Sequence, residues 1–310
     1  MQNSNLKVIF WGTSDFAVPA LHALHADGFN IIAVVSVPDQ PAGRKKTLTP
    51  PPLKGAAQEL NIPVYQPASL KDDAFFKTFD PLEPDICIVA AYGKIIPERY
   101  LGVPRYGFLN IHPSLLPAYR GPTPVQTAIL NGDTETGVTI MGVDKEMDHG
   151  QIFMQESVRI HPDETYRELH NRLADIGAAL LARTIAQIDT FKPREQEHDL
   201  ATFTKLYGRE EGRLDWSEPG KKIYDRIRAL NPEPGTWTMW NGKILNIKSA
   251  GLELSSSERP GSVSRVDNNI VVGTGTCHLI LRTIQLEGKH ETDAASFVNG
   301  HKEFLGTILQ

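Results

Sequence analysis

The first 160 residues alternate short apolar runs with amphipathic segments of helix length. Several of the apolar runs are continuously hydrophobic, as strands covered on both faces are. These runs predict strands at 6–11, 30–37, 85–90, 107–111 and 136–143. The amphipathic segments predict helices at 16–27, 53–60, 72–78 and 124–131. Strands and helices in this alternation predict an α/β fold, with a doubly wound and mostly parallel sheet between two layers of helices.

The pattern changes in the second half of the chain. The segment 165–188 carries apolar residues at helical spacing and predicts one long helix. Beyond about residue 205, Gly and Pro residues separate short apolar runs. These runs predict strands at 237–240, 244–248, 269–272 and 278–282. Short strands at close spacing are typical of a small β-barrel, for which an OB-like fold is the leading candidate.

The chain length agrees with two domains, since 310 residues are twice the size of a typical domain of roughly 150. Residues 189–197 lose the helical periodicity and resemble a linker. We therefore predict a catalytic domain over 1–190, a linker over 191–206 and a barrel domain over 207–310.

Composition excludes several classes of protein. The apolar fraction of 40% and the charged fraction of 22% are those of a globular chain, and the net charge of −5 argues against a uniformly basic nucleic-acid-binding protein. Cys87 and Cys277 lie far apart, which predicts neither a metal cluster nor a disulfide framework. No apolar run is long enough to span a membrane. A strand-like run begins at Leu6, so we expect no signal peptide and a cytoplasmic location.

Two polar side chains stand at the end of the strand predicted at 107–111. Asn110 and His112 project from the same side, because alternate residues of a strand share a face. Pro113 then ends the strand. Ligand sites of doubly wound sheets lie beyond the carboxyl ends of strands, so the amide and the imidazole could stabilise an oxyanion there. Taken alone, the pair is weak evidence for such a site and favours a histidine satisfied by a local hydrogen bond.

A long irregular segment, 38–53, separates a predicted strand from a predicted helix. It contains three adjacent cations, Arg44, Lys45 and Lys46, and no acid after Asp39. Such long segments are uncommon in compact domains and are often functional, although a charge triplet taken alone favours a solvated turn. A second stretch, 205–228, has a mild excess of cations that includes Lys205 and Arg209.

Several segments together resemble the formyltransferases that use 10-formyltetrahydrofolate. The shared pattern runs from Asn110-Ile111-His112 through Ser114-Leu115-Leu116-Pro117 to Asp148-His149-Gly150. Within that family the likeness to the methionyl-tRNA formyltransferases runs nearly end to end. It includes the segments 10–19, 41–44, 85–94, 213–216 and 227–232. The resemblance implies a Rossmann-like catalytic domain and a C-terminal OB-like domain, in agreement with the periodicity.

The resemblance also implies roles for individual residues. Asn110, His112 and Asp148 match the family's catalytic residues. The folate-binding positions that it implies are Ser114, Leu115, Leu116, Pro117, Tyr92, Gly93 and Asp144. The 38–53 segment matches a loop that binds the acceptor end of tRNA, and we expect Arg44, Lys45, Lys46, Lys205 and Arg209 to contact it. His149 and Gln151 depart from the family, which more often has a small residue and an acid there.

The implied reaction moves the formyl group of 10-formyltetrahydrofolate to the α-amino group of initiator methionyl-tRNA. Asn110 and a cationic His112 would stabilise the oxyanion, and Asp148 would favour the charged imidazole and help to move the amine's proton. No metal, membrane or obligate protein partner is expected. The alternatives are a formyltransferase for a sugar nucleotide or a purine precursor, a 10-formyltetrahydrofolate hydrolase, and a tRNA-binding module whose catalytic domain is inactive.

Overall fold

A computed structural model describes residues 5–42, 47–256 and 259–310. The described residues divide into two compact units. The first takes its residues from 1–121, 136–159 and 170–203, and the second from 122–135, 160–169 and 204–310. Two segments that precede residue 170, namely 122–135 and 160–169, therefore belong to the same unit as the C-terminal part. The domain boundaries at 1–190, 191–206 and 207–310 remain a prediction.

Seven strands form the sheet of the first unit, in the order β5-β2-β1-β6-β7-β8-β9. The strands of this sheet are β1 (Lys7–Gly12), β2 (Asn30–Val35), β5 (Val64–Tyr65), β6 (Ile86–Ala90), β7 (Phe108–His112), β8 (Glu135–Gly142) and β9 (Ile152–Arg159). The first five strands in this order, β5, β2, β1, β6 and β7, run parallel to one another, whereas β8 is antiparallel to β7. A separate antiparallel pair consists of β3 (Gln40–Ala42) and β4 (Thr47–Thr49).

The strand order reverses at β1, which lies between β2 and β6. Ligands of doubly wound sheets bind beyond the carboxyl ends of strands near such a reversal. The helices are α1 (Val18–Ala26), α2 (Pro52–Glu59), α3 (Asp73–Phe79), α4 (Glu98–Leu101), α5 (Pro124–Leu130), α6 (Tyr166–Ala186), α7 (Gly220–Leu230) and α8 (Ala294–Gly300). The prediction of a Rossmann-like sheet is confirmed.

One side of this sheet packs around Trp11, which is completely buried. Edge-to-face contacts join its ring to Phe79, Tyr92 and Tyr100, with ring centroids 5.4–5.8 Å apart. Such pairs stabilise a core beyond the apolar area that they bury. This cluster supports the strands whose carboxyl ends carry the candidate site.

The second unit contains an antiparallel sheet in the order β10-β11-β14-β13-β12, with β15 beside β14. Its strands are β10 (Thr236–Trp240), β11 (Lys243–Ser256), β12 (Val263–Val266), β13 (Asn269–Gly273), β14 (Cys277–Leu286) and β15 (Thr292–Asp293). The C-terminal residues bond to both edge strands: Gln310 exchanges two backbone hydrogen bonds with Met239, and Val263 donates to the carbonyl of Thr307. The terminal segment thereby closes the sheet, and the prediction of a small barrel is confirmed.

Several regular elements were absent from the sequence prediction: the helices α4, α7 and α8 and the strands β3, β4, β5, β9, β12 and β15. Helix α7 places Ile223, Ile227 and Leu230 on one buried face, a helical spacing that the surrounding Gly and Pro residues masked. Strand β9 lies at the edge of the first sheet, and most of its residues are only half-buried. An edge strand of mixed polarity lacks the apolar run that identifies a central strand.

Candidate active site

Asn110 and His112 lie at the carboxyl end of strand β7. Both residues pair with β8, Asn110 opposite Met141 and His112 opposite Thr139. His112 is only 3% exposed. Its Nε2 lies 3.0 Å from the carbonyl oxygen of Tyr119. Because a carbonyl only accepts, Nε2 carries a hydrogen and donates it.

Asp148 reaches this strand end from the turn between β8 and β9. Its backbone adopts a left-handed conformation, with φ of +49°. The turn also requires Gly150, since a Cβ there would lie 2.0 Å from the carbonyl oxygen of Gly142. The Oδ2 atom of Asp148 accepts a 2.7 Å hydrogen bond from the backbone N–H of Gly121.

The amide of Asn110 and the imidazole of His112 both approach Oδ1, the other carboxylate oxygen of Asp148. Asp148 Oδ1 lies 3.5 Å from Asn110 Nδ2 and 3.6 Å from His112 Nδ1. Both separations exceed those of a strong hydrogen bond. The side chain of Asp148 is 15% exposed and that of His112 is 4% exposed, so the group is largely buried but partly accessible to solvent. A small polar group could therefore bond to all three.

A second histidine follows Asp148 in the same turn. The Nδ1 atom of His149 lies 2.7 Å from Asp144 Oδ2, and the His149 ring stacks parallel on His198 with ring centroids 4.0 Å apart. Arg120 Nη2 lies 2.8 Å from His198 Nδ1. A guanidinium only donates, so that nitrogen of His198 accepts. His149, which departs from the family pattern, therefore contacts Asp144 through its Nδ1 atom and His198 through the face of its ring.

The stretch predicted as a linker follows the edge of this site. Arg194 exchanges two backbone hydrogen bonds with Ile152, at 2.8 and 2.9 Å. Farther along, the carbonyl of Thr202 accepts from the backbone of Arg120 at 2.8 Å. The side chain of Thr202 also accepts from the backbone of Tyr119 at 2.8 Å. Residues 194–202 are therefore bonded to the start of β9 and to the loop at 119–121, which contacts both His112 and Asp148.

A cavity of about 480 Å³ lies beside the turn. Tyr106, Phe108 and Phe153 supply aromatic walls, and Asp144, His149 and Glu195 supply polar ones. Aromatic walls with a few polar groups are typical of sites for flat organic ligands. Asp144 is the one implied folate residue that lines it.

The other implied folate residues do not line this cavity. Ser114 is completely buried and donates to the carbonyl of Ala118, while Leu116 packs with Met141 and Ile152. Leu115 packs against Gly137, and Pro117 is half-buried. The Tyr92 ring belongs to the core around Trp11, and burial raises the pKa of its phenol well above the ordinary value. Gly93 is exposed, with φ of +79°.

The implied tRNA-binding residues fall into two groups. Arg44, Lys45 and Lys46 lie outside the described residues. Lys205 and Arg209 both belong to the second unit. Lys205 is exposed and forms a 3.0 Å ion pair with Glu211. The guanidinium of Arg209 lies 5.6 Å from the ring centroid of Trp237.

The described part of the chain offers no candidate for two other kinds of site. No group of three or more His, Cys, Asp or Glu side chains there is placed to hold a metal ion. No helix within the same ranges is both long and apolar enough to cross a membrane.

Comparison with protein families matches both units. The family profile described as "Formyl transferase" matches residues 5–185, more than half of the chain. The chain belongs to the formyl transferase family. A second profile, "Formyl transferase, C-terminal domain", matches residues 208–302 of this formyltransferase. The sequence-based assignment to formyltransferases is thereby confirmed.

Curated relatives of this formyltransferase match it over nearly its full length. The methionyl-tRNA formyltransferase of Syntrophus aciditrophicus is 41% identical over 310 residues, covering 99% of each chain. The enzyme of the same name from Halalkalibacterium halodurans is 42% identical and covers 98% of each chain. Among solved structures, HypX from Aquifex aeolicus in complex with tetrahydrofolic acid matches with a TM-score of 0.69 at 16% identity. That match covers 98% of this chain and 48% of HypX, and it supports the fold alone.

Sequence analysis missed three residues beside the candidate catalytic groups of this formyltransferase. Arg120 lies three positions after Pro117, the last residue of the matched segment, so its position offered a signal. Gln196 and His198 lie in a stretch without periodicity, and no local pattern distinguished them. Their proximity to Asp148 depends on where the chain returns after α6.

Proposed function

We propose that this formyltransferase transfers the formyl group of 10-formyltetrahydrofolate to the α-amino group of initiator methionyl-tRNA. The observation that carries the proposal is the identity of about 40% to named methionyl-tRNA formyltransferases over nearly the whole chain, barrel included. The convergence of Asn110, His112 and Asp148 at the carboxyl end of β7 supports it. A sugar-nucleotide formyltransferase or a folate hydrolase would leave that full-length likeness unexplained.

In the proposed reaction, the amine nitrogen attacks the formyl carbon. A nitrogen–carbon bond forms, and the carbonyl electron pair moves to oxygen. The Asn110 amide would donate to this oxyanion, as oxyanion-stabilising donors do in acyl transfer. Collapse of the intermediate breaks the bond from the formyl carbon to N10 of the folate, and the proton lost by the amine finishes on N10.

His112 would act as a cation near the oxyanion. Its Nε2 donates to the Tyr119 carbonyl, and its Nδ1 faces the Asp148 carboxylate. The doubly protonated ring satisfies both neighbours, because each ring nitrogen then presents a hydrogen to an acceptor. Asp148 Oδ1 would accept the amine's proton, directly or through a water, and pass it toward N10.

The folate donor would be bound partly by side chains and partly by backbone. Asp144 lines the aromatic cavity and has a carboxylate that can accept from the amino groups of a pterin ring. The buried Ser114 and Leu116 would shape the 114–117 turn from beneath, with Leu115 and Pro117 nearer the ligand. The ring of Tyr92 is buried, so Tyr92 and Gly93 would contribute their backbone.

Initiator methionyl-tRNA would be held through cations. Arg44, Lys45 and Lys46 would meet phosphates of the acceptor end, and Lys205 and Arg209 would extend the contact from the second unit. Such contacts would position the substrate without reading sequence.

Transfer of labelled formyl from 10-formyltetrahydrofolate to charged initiator tRNA tests the proposal. Parallel reactions should contain uncharged tRNA, an amino-sugar nucleotide, or no acceptor. We expect label on methionyl-tRNA alone. Equal label on the amino sugar, or formate release at the same rate without acceptor, would assign the enzyme to one of the alternatives.

A further inference from the structure

The buried side chain of Gln196 is bonded to the turn that presents Asp148. Gln196 is 4% exposed. Its Nε2 donates to the carbonyl of Asp148 at 2.9 Å and to the carbonyl of Gly150 at 2.7 Å. Its Oε1 accepts from Arg120 Nε at 3.1 Å and from Nη2 at 2.7 Å. The two donors and two acceptor sites of the amide are all used.

These partners also determine which way the amide is oriented. The carbonyl oxygens of Asp148 and Gly150 accept only, so the nitrogen must face them. Arg120 donates only, so the oxygen must face the guanidinium. Arg120 is only 4% exposed, so its charge is buried. Hydrogen bonds to the guanidinium, including those to Gln196, offset the free-energy cost of burying that charge.

The bonds form a closed ring around Asp148. Gly121 donates to the carboxylate, its neighbour Arg120 bonds to Gln196, and Gln196 bonds to the carbonyl of Asp148. Gly121 therefore holds the carboxylate of Asp148 directly, and Arg120 holds its backbone through Gln196. A left-handed backbone such as that of Asp148 persists only where its surroundings hold it.

We infer that Gln196 is a positioning residue for the formyl transfer reaction. It holds the turn at 148–150 so that Asp148 Oδ1 faces Asn110 and His112. This inference rests on the catalytic role proposed for Asp148. Gln196 itself contacts none of the reacting groups, and it acts only through the backbone of the turn and through Arg120.

The placement of the four bonds argues against a role in stability alone. A buried amide that only filled space could pair with any nearby backbone. Both donors of Gln196 instead meet carbonyls of the turn, one of them that of Asp148 itself. A second contact from the same stretch, the stack of His198 on His149, supports the next residue of the turn.

The first test is Gln196→Met, which keeps the length of the side chain and removes its hydrogen bonds. Displacement of a catalytic group by about 1 Å can cost about 10²-fold, so we expect kcat to fall by about that factor. The KM values for both substrates should stay unchanged. The matched control is Gln187→Met, at an exposed position after α6, and it should keep the wild-type kcat.

The second test combines the change with Asp148→Asn. If Gln196 acts through Asp148, Gln196→Met should cost less than about threefold in the Asp148→Asn background, because groups that act as a unit are not additive. The full 10²-fold loss in both backgrounds would overturn the inference, and so would an unchanged kcat in Gln196→Met. If Asp148→Asn alone keeps full activity, the proposed function of Asp148 fails instead.

A milder variant covers the case in which Gln196→Met does not fold. Gln196→Glu keeps an acceptor for Arg120 and lacks the N–H donors for the two carbonyls. We expect it to fold, because the new carboxylate pairs with the buried Arg120, and its melting temperature checks this. We expect kcat to fall by at least about 10²-fold with unchanged KM, because the carboxylate oxygen repels the two carbonyls that the amide nitrogen held. A wild-type kcat in this variant would overturn the inference.

Discussion

His112 is oriented by protein groups on both edges of its ring. The Tyr119 carbonyl lies at one nitrogen and the Asp148 carboxylate at the other, and the ring is almost completely buried. A catalytic group whose orientation is set before the substrate arrives needs little reorganisation in the transition state. Asn110 is less restrained, since its side chain is half-buried and its one contact with Asp148 is long.

At the residue scale, we expect His112→Ala and Asn110→Ala each to lower kcat by about 10²–10³, the usual loss on removing one oxyanion-stabilising group. Steady-state transfer of formyl to methionyl-tRNA measures the effect. His25→Ala, at an exposed position on α1, is the matched control. A near wild-type kcat in His112→Ala would refute the mechanism.

Tyr224 allows a second prediction at this scale, on pH. Burial raises the pKa of Tyr224 from its ordinary value of 10.0 to about 12, helped by its 2.9 Å hydrogen bond to Asp163. The folded state therefore holds the phenolic proton more tightly than the unfolded state does. The neutral phenol of Tyr224 therefore stabilises the folded state fully below pH 10, and this stabilisation is lost as the pH rises toward 12.

Chemical denaturation of wild type and Tyr224→Phe between neutral pH and pH 12 measures this contribution. A difference of two pKa units corresponds to a few kcal/mol. Over the alkaline range, the free energy of unfolding of the wild type should therefore fall by about 2 kcal/mol more than that of the variant. Parallel stability curves would show that Tyr224 does not contribute to the alkaline loss.

At the scale of elements, helix α6 approaches the sheet closely at Gly177. A Cβ there would lie 2.7 Å from Cγ2 of Ile111 on β7 and 3.4 Å from Cγ1 of Val138 on β8. Ile111 lies between Asn110 and His112. The position of the helix therefore bears directly on the strand that carries the candidate catalytic groups.

Two glycine-to-alanine changes in helices should consequently have opposite effects. Gly177→Ala forces a methyl group into a packed interface, and overpacking of this kind costs about 1–3 kcal/mol. Gly55→Ala, on α2, meets nothing within 4 Å and should stabilise by about 0.5–1 kcal/mol. Thermal or urea unfolding of both variants checks the pair. Equal shifts of the same sign in the stability of the two variants would show that the space between α6 and β7 can accommodate the extra methyl group.

At the scale of the whole molecule, a chain with a net charge of −5 must bind an anionic polymer through local cations. Each phosphate contact adds about 0.7–0.9 to the slope of log affinity against log salt. We expect replacement of Arg44, Lys45 and Lys46 by Ala to flatten that slope by up to about two units. Methionyl-tRNA binding should weaken, while KM for the folate donor stays unchanged.

Methionyl-tRNA affinity measured at several salt concentrations tests this expectation. A control with Ala at the exposed Lys71, Lys77 and Lys289 makes the same change in net charge elsewhere. If both triple variants give the same curve, only net charge matters. Curves superimposable on the wild type would identify 44–46 as a solvated turn.

The sequence by itself determined the classes of element and most of their positions. The predicted strand at 85–90 is β6 at Ile86–Ala90, and the predicted helix at 165–188 is α6 at Tyr166–Ala186. Local spacing of apolar residues decides whether a segment buries one face as a strand or as a helix, so it can be recognised without the rest of the chain. The resemblance added the identities of Asn110, His112 and Asp148, although their roles remain a prediction.

Only the tertiary structure decided which distant residues meet. Asn110 and Asp148 are 38 positions apart, and Arg120 and Gln196 are 76 positions apart. Whether such pairs come within hydrogen-bonding distance depends on how helices pack on the sheet and where loops close, and local periodicity carries no information on either. For the same reason a stretch without periodicity, predicted to be a linker, supplies the buried amide that bonds to the turn of Asp148.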